Sequence, residues 1–254
     1  MDRTDCAYLI NTTPKYFYLL PLHLALLERY APSLAWPVYI ATEAEVLPPL
    51  THPNLKIIKL LQSQGGFLES REAAIAALPE SIKYVLPMQE DFLLEGRPMA
   101  KEIAEAFEAL EASETEVLSV RLMPCPGPKG DTYFNEFKVL DFTDSIVFTY
   151  QATIWKRDPY QTFMNTLLHR LDGKTQAQKN HMAIKVNIAE NSEGQEILKN
   201  LFPGIHISII RHYAHPNAVY LSPWPYRPTA VVRGVLEPWA YDLGEREGFP
   251  LRPQ

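Results

Sequence analysis

The chain has two cysteines in 254 residues, Cys6 and Cys125. Two are too few for a disulfide framework. Cys6 begins an apolar run and Cys125 sits between Pro124 and Pro126, so both are expected to be reduced structural residues of a cytoplasmic protein. Positive charge is also scarce. Lys and Arg number 24 against 30 Asp and Glu, for a net charge of -6. With no basic stripe, nucleic acid is not expected as a partner, because phosphate binding needs clustered cations. No apolar run approaches the length of a membrane span. The most apolar helical stretch, Tyr16 to Leu27, is too short and contains His23, so no integral membrane segment is expected. The polar start Met1-Asp2-Arg3-Thr4-Asp5 has no signal-peptide pattern. Three motifs are missing as well: a Gly-x-Gly-x-x-Gly after the first apolar run, a phosphate-loop Lys, and a Gly-x-Ser-x-Gly elbow. A dinucleotide dehydrogenase, a kinase and an elbow-type hydrolase are therefore unsupported.

What is present is 46% hydrophobic residues, enough for one large domain with a buried core. Cys6 to Asn11 has strand character. Tyr16 to Tyr30 has helical spacing, with Phe17, Leu20, Leu24 and Leu27 on one face. Val38 to Ala41 and Leu55 to Leu60 are expected as strands, Leu68 to Leu78 as a helix, and Tyr84 onward as a strand. A helix from Pro98 to about Ala112, a strand at Val117 to Leu122 and a helix from Pro159 to about Leu171 follow. Residues 172 to 179 are polar and ambiguous. Ile205 to Tyr213 alternates like a strand, and the tail after Glu247 is expected to be loosely held. The 22 prolines are densest after residue 202, where eight of them lie, which predicts a loop-rich C-terminal part wrapped on the main body. This β-α-β-β beginning predicts an α/β fold with parallel strands covered by helices.

The stretch Tyr84-Val85-Leu86-Pro87-Met88-Gln89-Glu90-Asp91-Phe92 ends an apolar strand in two adjacent carboxylates. Unpaired buried carboxylates are costly, yet ligands bind at the carboxyl ends of strands in open α/β sheets. A carboxylate pair there suits a hard divalent cation, which in turn holds a diphosphate. The alternative is a surface turn with two solvated acids. Adjacent strand residues face opposite ways, so only one of the two acids is expected to meet a metal directly. Ser70 and Arg71 lie in the first turns of a helix after Gly65-Gly66, where free amides and a guanidinium favour a phosphate. An ordinary capped helix with an exposed Arg reads the same way.

Four segments in order carry a resemblance: Leu9-Ile10-Asn11-Thr12-Thr13, Ser70-Arg71, Gln89-Glu90-Asp91-Phe92, and Gln151-Ala152-Thr153-Ile154-Trp155-Lys156, with an acid, Glu190, beyond the last. The arrangement, over residues 7 to 240, resembles the small GT-A-fold nucleotide-sugar glycosyltransferases of bacterial surface-polysaccharide clusters and large viruses. The resemblance implies a Rossmann-like, mixed but mostly parallel sheet flanked by helices. It implies a single domain over 1–254, with a nucleotide-sugar-binding half to about residue 122 and a loop-rich acceptor-binding half from about 123. It also implies a Mn²⁺ or Mg²⁺ cofactor on Asp91. Thr12, Thr13, Thr42, Glu43, Ser70, Arg71, Gln89 and Glu90 would bind a UDP- or dTDP-linked donor, and Gln151 and Trp155 a glycan or lipid-linked acceptor. Glu190 would be the base of an inverting transfer. The usual acidic motif has two Asp separated by one residue; here it is Glu90-Asp91. The Trp that often precedes the base by three residues is Asn187, so the base position can also slip to Glu193 or Glu196. The bland alternatives are strand-end threonines, a helix-capping Glu190 and a core Trp155. His212-x-x-His215 has no Cys or second acid pair beside it, which argues against zinc; Arg211 and Arg233 are possible diphosphate contacts. A sugar-nucleotide nucleotidyltransferase and a non-catalytic carbohydrate-binding protein remain the competing functions.

Overall fold

Alternation along the first strand lays out the molecule. In β1 (Cys6–Asn11), Cys6, Tyr8 and Ile10 enter one apolar cluster, while Ala7 and Leu9 enter a second. Successive strand side chains point to opposite faces, so a strand buried on both faces requires cover on both. The computed structural model describes residues 2–112, 117–123, 130–134, 137–140, 148–187, 196, 199–200, 204–209, 222–227 and 229–252.

The chain continues through α1 (Leu20–Tyr30), β2 (Val38–Thr42), β3 (Leu55–Lys59), α2 (Phe67–Ala76), β4 (Tyr84–Gln89) and β5 (Leu93–Leu94). Then come α3 (Ala100–Ala112), β6 (Val117–Arg121), β7 (Thr132–Phe134), β8 (Phe137–Val139), β9 (Thr153–Lys156), α4 (Arg157–Arg170) and α5 (Gln176–Asn187). The last described elements are β10 (Ile205–Ile209), β11 (Tyr226–Arg227), β12 (Val231–Val232), β13 (Val235–Leu236) and α6 (Pro238–Glu247). Nine strands form one sheet in the order β3-β2-β1-β4-β9-β6-β10-β8-β7. β3, β2, β1 and β4 are mutually parallel, β9 runs against both β4 and β6, and β10 is parallel to β6. Residues of α1 and α3 share the first apolar cluster, and those of α2 and α4 the second. The α/β class, with a mixed sheet whose strands mostly run one way between helices, is thus the observed one.

Strand order fixes where a ligand fits. From β1 the chain steps outward to β2 and β3, then returns to place β4 on the other side of β1. The connecting helices α1 and α2 lie on opposite faces. A crevice therefore opens at the carboxyl ends of β1 and β4, where Asn11 pairs in register with Gln89.

Two expectations are corrected. The helix expected over Tyr16 to Tyr30 is broken into a 3₁₀ segment, Pro14–Leu19, and α1. Pro21 has no amide hydrogen to give to an interior turn and fits only in the first turn of a helix. Among the described residues of the tail after Glu247, 248–252, the chain is held and not loose: Gly248 adopts a left-handed φ of 77°, the Phe249 amide donates to the Gly244 carbonyl at 2.8 Å, and Leu251 is buried. Among the described residues no helix is long and apolar enough to cross a membrane.

Candidate active site

β4 ends at Gln89, and the Phe92 amide donates to the Gln89 carbonyl at 3.1 Å. Glu90 and Asp91 therefore lie in a turn, not in a strand. This corrects the expectation that they face opposite ways: once the chain leaves the pleat, period-two alternation no longer applies. Both carboxylates line one cavity of about 490 Å³, although each residue is only 8% exposed. The surface-turn alternative fails on that burial.

Burial pushes both acids up. Glu90 rises to about 8, first by desolvation and then by the neighbouring Asp91 charge; Asp91 rises to about 6 by desolvation, partly offset by the Val231 amide. Asp91 is clasped by the C-terminal segment. Its backbone carbonyl accepts from the Ala230 amide at 3.1 Å and its Oδ2 from the Val231 amide at 3.3 Å. Next to this clasp Thr229 takes a φ of 67°, a costly conformation for a β-branched residue that surrounding contacts must hold. The following β12–β13 hairpin turns at Arg233 (φ 52°) and Gly234 (φ 80°), a two-residue left-handed turn that brings both to the cavity.

A smaller lobe of about 230 Å³ shares Tyr16, Phe67, Gln89, Glu90 and Asn180 with the larger one. Thr12, Thr13, Ser70 and Arg71 also line it. Arg71 is buried, not the exposed arginine of an ordinary helix. It donates to the Phe67 carbonyl at 2.8 Å, and its guanidinium lies 3.5 Å from the Phe67 ring centre and 5.2 Å from that of Tyr150. Asn11 donates to the Ser70 carbonyl at 3.0 Å, tying α2 to β1. No side chain caps α2, whose N-cap is Gly66. A Cβ on Gly66 would fall 2.2 Å from a Glu69 carboxylate oxygen and 2.6 Å from Gln176 Nε2, so a larger residue there would push the ends of both side chains aside. Glu69 pairs with Lys179 at 2.8 Å, which holds α5 against α2. α5 then supplies Asn180, Ala183 and Ile184 to the wall.

The other predicted residues fall outside the cavity. Thr42 is fully buried and its hydroxyl accepts from the Ala44 amide at 3.2 Å, a capping role. Glu43 stands behind Gly65, with side-chain carbons 3.3 Å from where a Cβ would be and its Oε2 buried without a hydrogen-bond partner among the described residues. The Gln151 side-chain Oε1 accepts from the Tyr226 hydroxyl at 2.6 Å, away from the cavity wall. Trp155 is 1% exposed and packs among Phe148, Tyr160 and His206. Its expected place on an acceptor floor is therefore corrected to the core: on a central strand covered on both faces, neither side of the ring reaches solvent. Glu190 and Glu193 lie outside the described residues, as do Cys125, Arg211, His212 and His215; Glu196 is exposed. Sequence reasoning missed Phe67, Tyr150, Asn180 and Val231. Their role comes from tertiary placement, and only the aromatic-plus-Arg run Phe67 to Arg71 carried a local signal.

No group of three or more His, Cys, Asp or Glu able to hold a metal occurs among the described residues. The Glu90–Asp91 pair still fits a divalent cation. Two buried, mutually repelling carboxylates lack a countercharge at ion-pair distance among the described residues. A hard cation accepts carboxylate oxygens together with phosphate oxygens and water.

No family model matches the sequence, and no curated protein matches it. Among solved structures, residues 1–349 of Staphylococcus aureus TarS match over 84% of this chain and 61% of theirs, at 12% identity and a TM-score of 0.44. The glycosyltransferase GlyE of Streptococcus pneumoniae TIGR4 matches over 86% and 48%, at 15% identity and a TM-score of 0.46. A 4-diphosphocytidyl-2C-methyl-D-erythritol synthase from Anaerococcus prevotii matches over 70% and 82%, at 7% identity and a TM-score of 0.38. This chain spans less than two thirds of the TarS and GlyE structures. It is similar to all three in the broad arrangement of sheet and helices.

Proposed function

We propose that the protein transfers a sugar from a nucleoside-diphosphate donor, UDP- or dTDP-linked, to a hydroxyl of a glycan or lipid-linked acceptor. The observation that carries this reading is the juxtaposition, in one crevice at the ends of β1 and β4, of two buried carboxylates with a buried arginine and the uncapped start of α2. Glu90 and Asp91 would hold Mn²⁺ or Mg²⁺, which neutralises charge on the departing diphosphate. Arg71 and the first amides of α2 face the same anion from the other side. Thr12 and Thr13 line the nucleotide end of the crevice, with Arg233 and Lys15 at the hairpin side. Glu190 is the proposed base, accepting the proton of the attacking hydroxyl so that the anomeric centre inverts.

A panel of nucleoside diphosphates, each with and without Mn²⁺, tests this by thermal shift. UDP or dTDP with Mn²⁺ is expected to raise the unfolding temperature, because a ligand that binds only the folded state stabilises it by mass action. No shift with any nucleotide removes the reading. Pyrophosphate release from a nucleoside triphosphate and a sugar phosphate would replace it with nucleotidyl transfer. Full turnover by Glu190→Gln would remove the base assignment.

A further inference from the structure

Directly behind the acid turn lies a histidine with both ring nitrogens engaged. His23, in α1, is 2% exposed. Its Nδ1 is 3.1 Å from the Glu90 backbone carbonyl and its Nε2 is 2.8 Å from the Tyr8 hydroxyl. A carbonyl only accepts, so Nδ1 must carry the hydrogen. In a neutral ring Nε2 is then an acceptor, and the Tyr8 hydroxyl donates to it. Burial favours that neutral form and lowers the His23 pKa to about 4. Tyr8 is itself fixed. It is fully buried in β1, its ring centre is 5.7 Å from that of Trp224, and Trp224 stacks on Trp36 at 5.6 Å.

We infer that His23 is the positioning residue of the acid turn: its Nδ1–H holds the Glu90 carbonyl so that the chain leaves the strand at Glu90 and both carboxylates face one cavity. The Asp91 end of the turn is held separately, by the Ala230 and Val231 amides. His23 therefore controls the Glu90 end, whose carbonyl receives no other hydrogen bond among the described residues. Groups that orient the residues holding a metal commonly change its affinity by about ten- to a hundredfold when removed. The inference rests on reading Glu90 and Asp91 as the cation-holding pair, and its test separates the two ideas.

The imidazole ¹⁵N spectrum of the wild-type protein should show His23 protonated on Nδ1 and bare on Nε2. The opposite tautomer overturns the inference without any variant being made. Next, His23→Asn keeps a donor at the Nδ1 position, whereas His23→Leu keeps none. Both should lose thermal stability. Exchange of the Phe92 amide, which closes the turn, should rise about tenfold or more in His23→Leu and stay near wild type in His23→Asn, with the amides of β1 unchanged in both. Equal Phe92 exchange in the two variants overturns the inference. Mn²⁺ alone, titrated by calorimetry, should bind His23→Leu at least about tenfold more weakly than wild type, and His23→Asn should recover most of the loss. Wild-type protein that binds no Mn²⁺ sinks the cation reading, while the tautomer and exchange results still decide the role of His23.

Discussion

Asp91 Oδ2 accepts a hydrogen bond from the Val231 amide at 3.3 Å, joining the acid turn to a hairpin 140 residues away in sequence. One side chain thus serves as anchor and as proposed cation ligand, and two substitutions separate these roles. Asp91→Asn retains an oxygen for the Val231 amide and loses the charge. Above about pH 6 the metal-free variant should unfold at or above the wild-type temperature, because the buried charge is gone, while the Mn²⁺-dependent shift with UDP disappears. Asp91→Ala loses both, and the orphaned amide should cost about 1–3 kcal/mol in addition. Denaturant unfolding and thermal shift, run side by side, check the pair; a normal Mn²⁺ response in Asp91→Asn would overturn the ligand role.

Stability should depend on pH through the same two acids. A carboxyl whose folded pKa is raised loses its proton more readily when unfolded. Its contribution is therefore intact below about pH 4, the ordinary carboxylate range, and is lost as pH climbs through about 6 for Asp91 and about 8 for Glu90. Metal-free protein should accordingly melt at a lower temperature at pH 8.5 than at pH 5.5. Glu90→Gln should flatten that slope and melt higher than wild type at pH 8.5, by roughly 2–4 °C for each kcal/mol recovered. Calorimetric scans across pH check it, and an unchanged slope in Glu90→Gln would show that Glu90 is not the group titrating.

Arg71 predicts a failure of the conservative exchange. Its planar head lies on Phe67 while donating to the Phe67 carbonyl, a combination that a lysine ammonium does not reproduce. Arg71→Lys should weaken UDP binding by about tenfold or more, and Arg71→Ala should do no worse than a few times that. Isothermal titration with UDP and Mn²⁺ measures both. Wild-type affinity in Arg71→Lys would leave Arg71 as a packing residue only.

Trp155 offers a test in the other direction. As a core residue it should cost about 3–5 kcal/mol when cut to Ala, with the loss read in denaturant unfolding. Trp155→Phe should fold and keep most of its turnover. A stable Trp155→Phe that lost acceptor binding selectively would return the ring to the acceptor side.

Much of the layout was legible. The strand over Tyr84–Gln89, though not the turn that carries Glu90 and Asp91, was legible, because a hydrophobic strand buried on both faces needs no partner information to be recognised. The proline-interrupted helix near Pro21 and the helix over Gln176–Asn187 were not. In the first case periodicity masked a missing donor. In the second a polar sequence gave no period, and the helix is held to its neighbour partly by the Glu69–Lys179 pair, which is a tertiary fact. The site divides the same way. Thr12, Thr13, Ser70, Arg71, Gln89, Glu90 and Asp91 are placed by local strand ends and helix starts, and all seven line the two lobes of the crevice. Asn180, Val231 and the hairpin turn come from distant chain, and Trp155 was misread because sequence does not say which face of an aromatic ring is covered.

The order in which the crevice wall is written into the chain has a bearing on synthesis. On a ribosome, the acids, the arginine and the uncapped helix emerge first, but Val231, Arg233 and Gly234 emerge well over a hundred residues later. Until then Asp91 has no amide to hold it and the crevice stands open on one side. A nascent chain would therefore carry the acids and the arginine through more than a hundred residues of further synthesis before the wall that encloses them exists, 140 residues separating Asp91 from the amide that holds it.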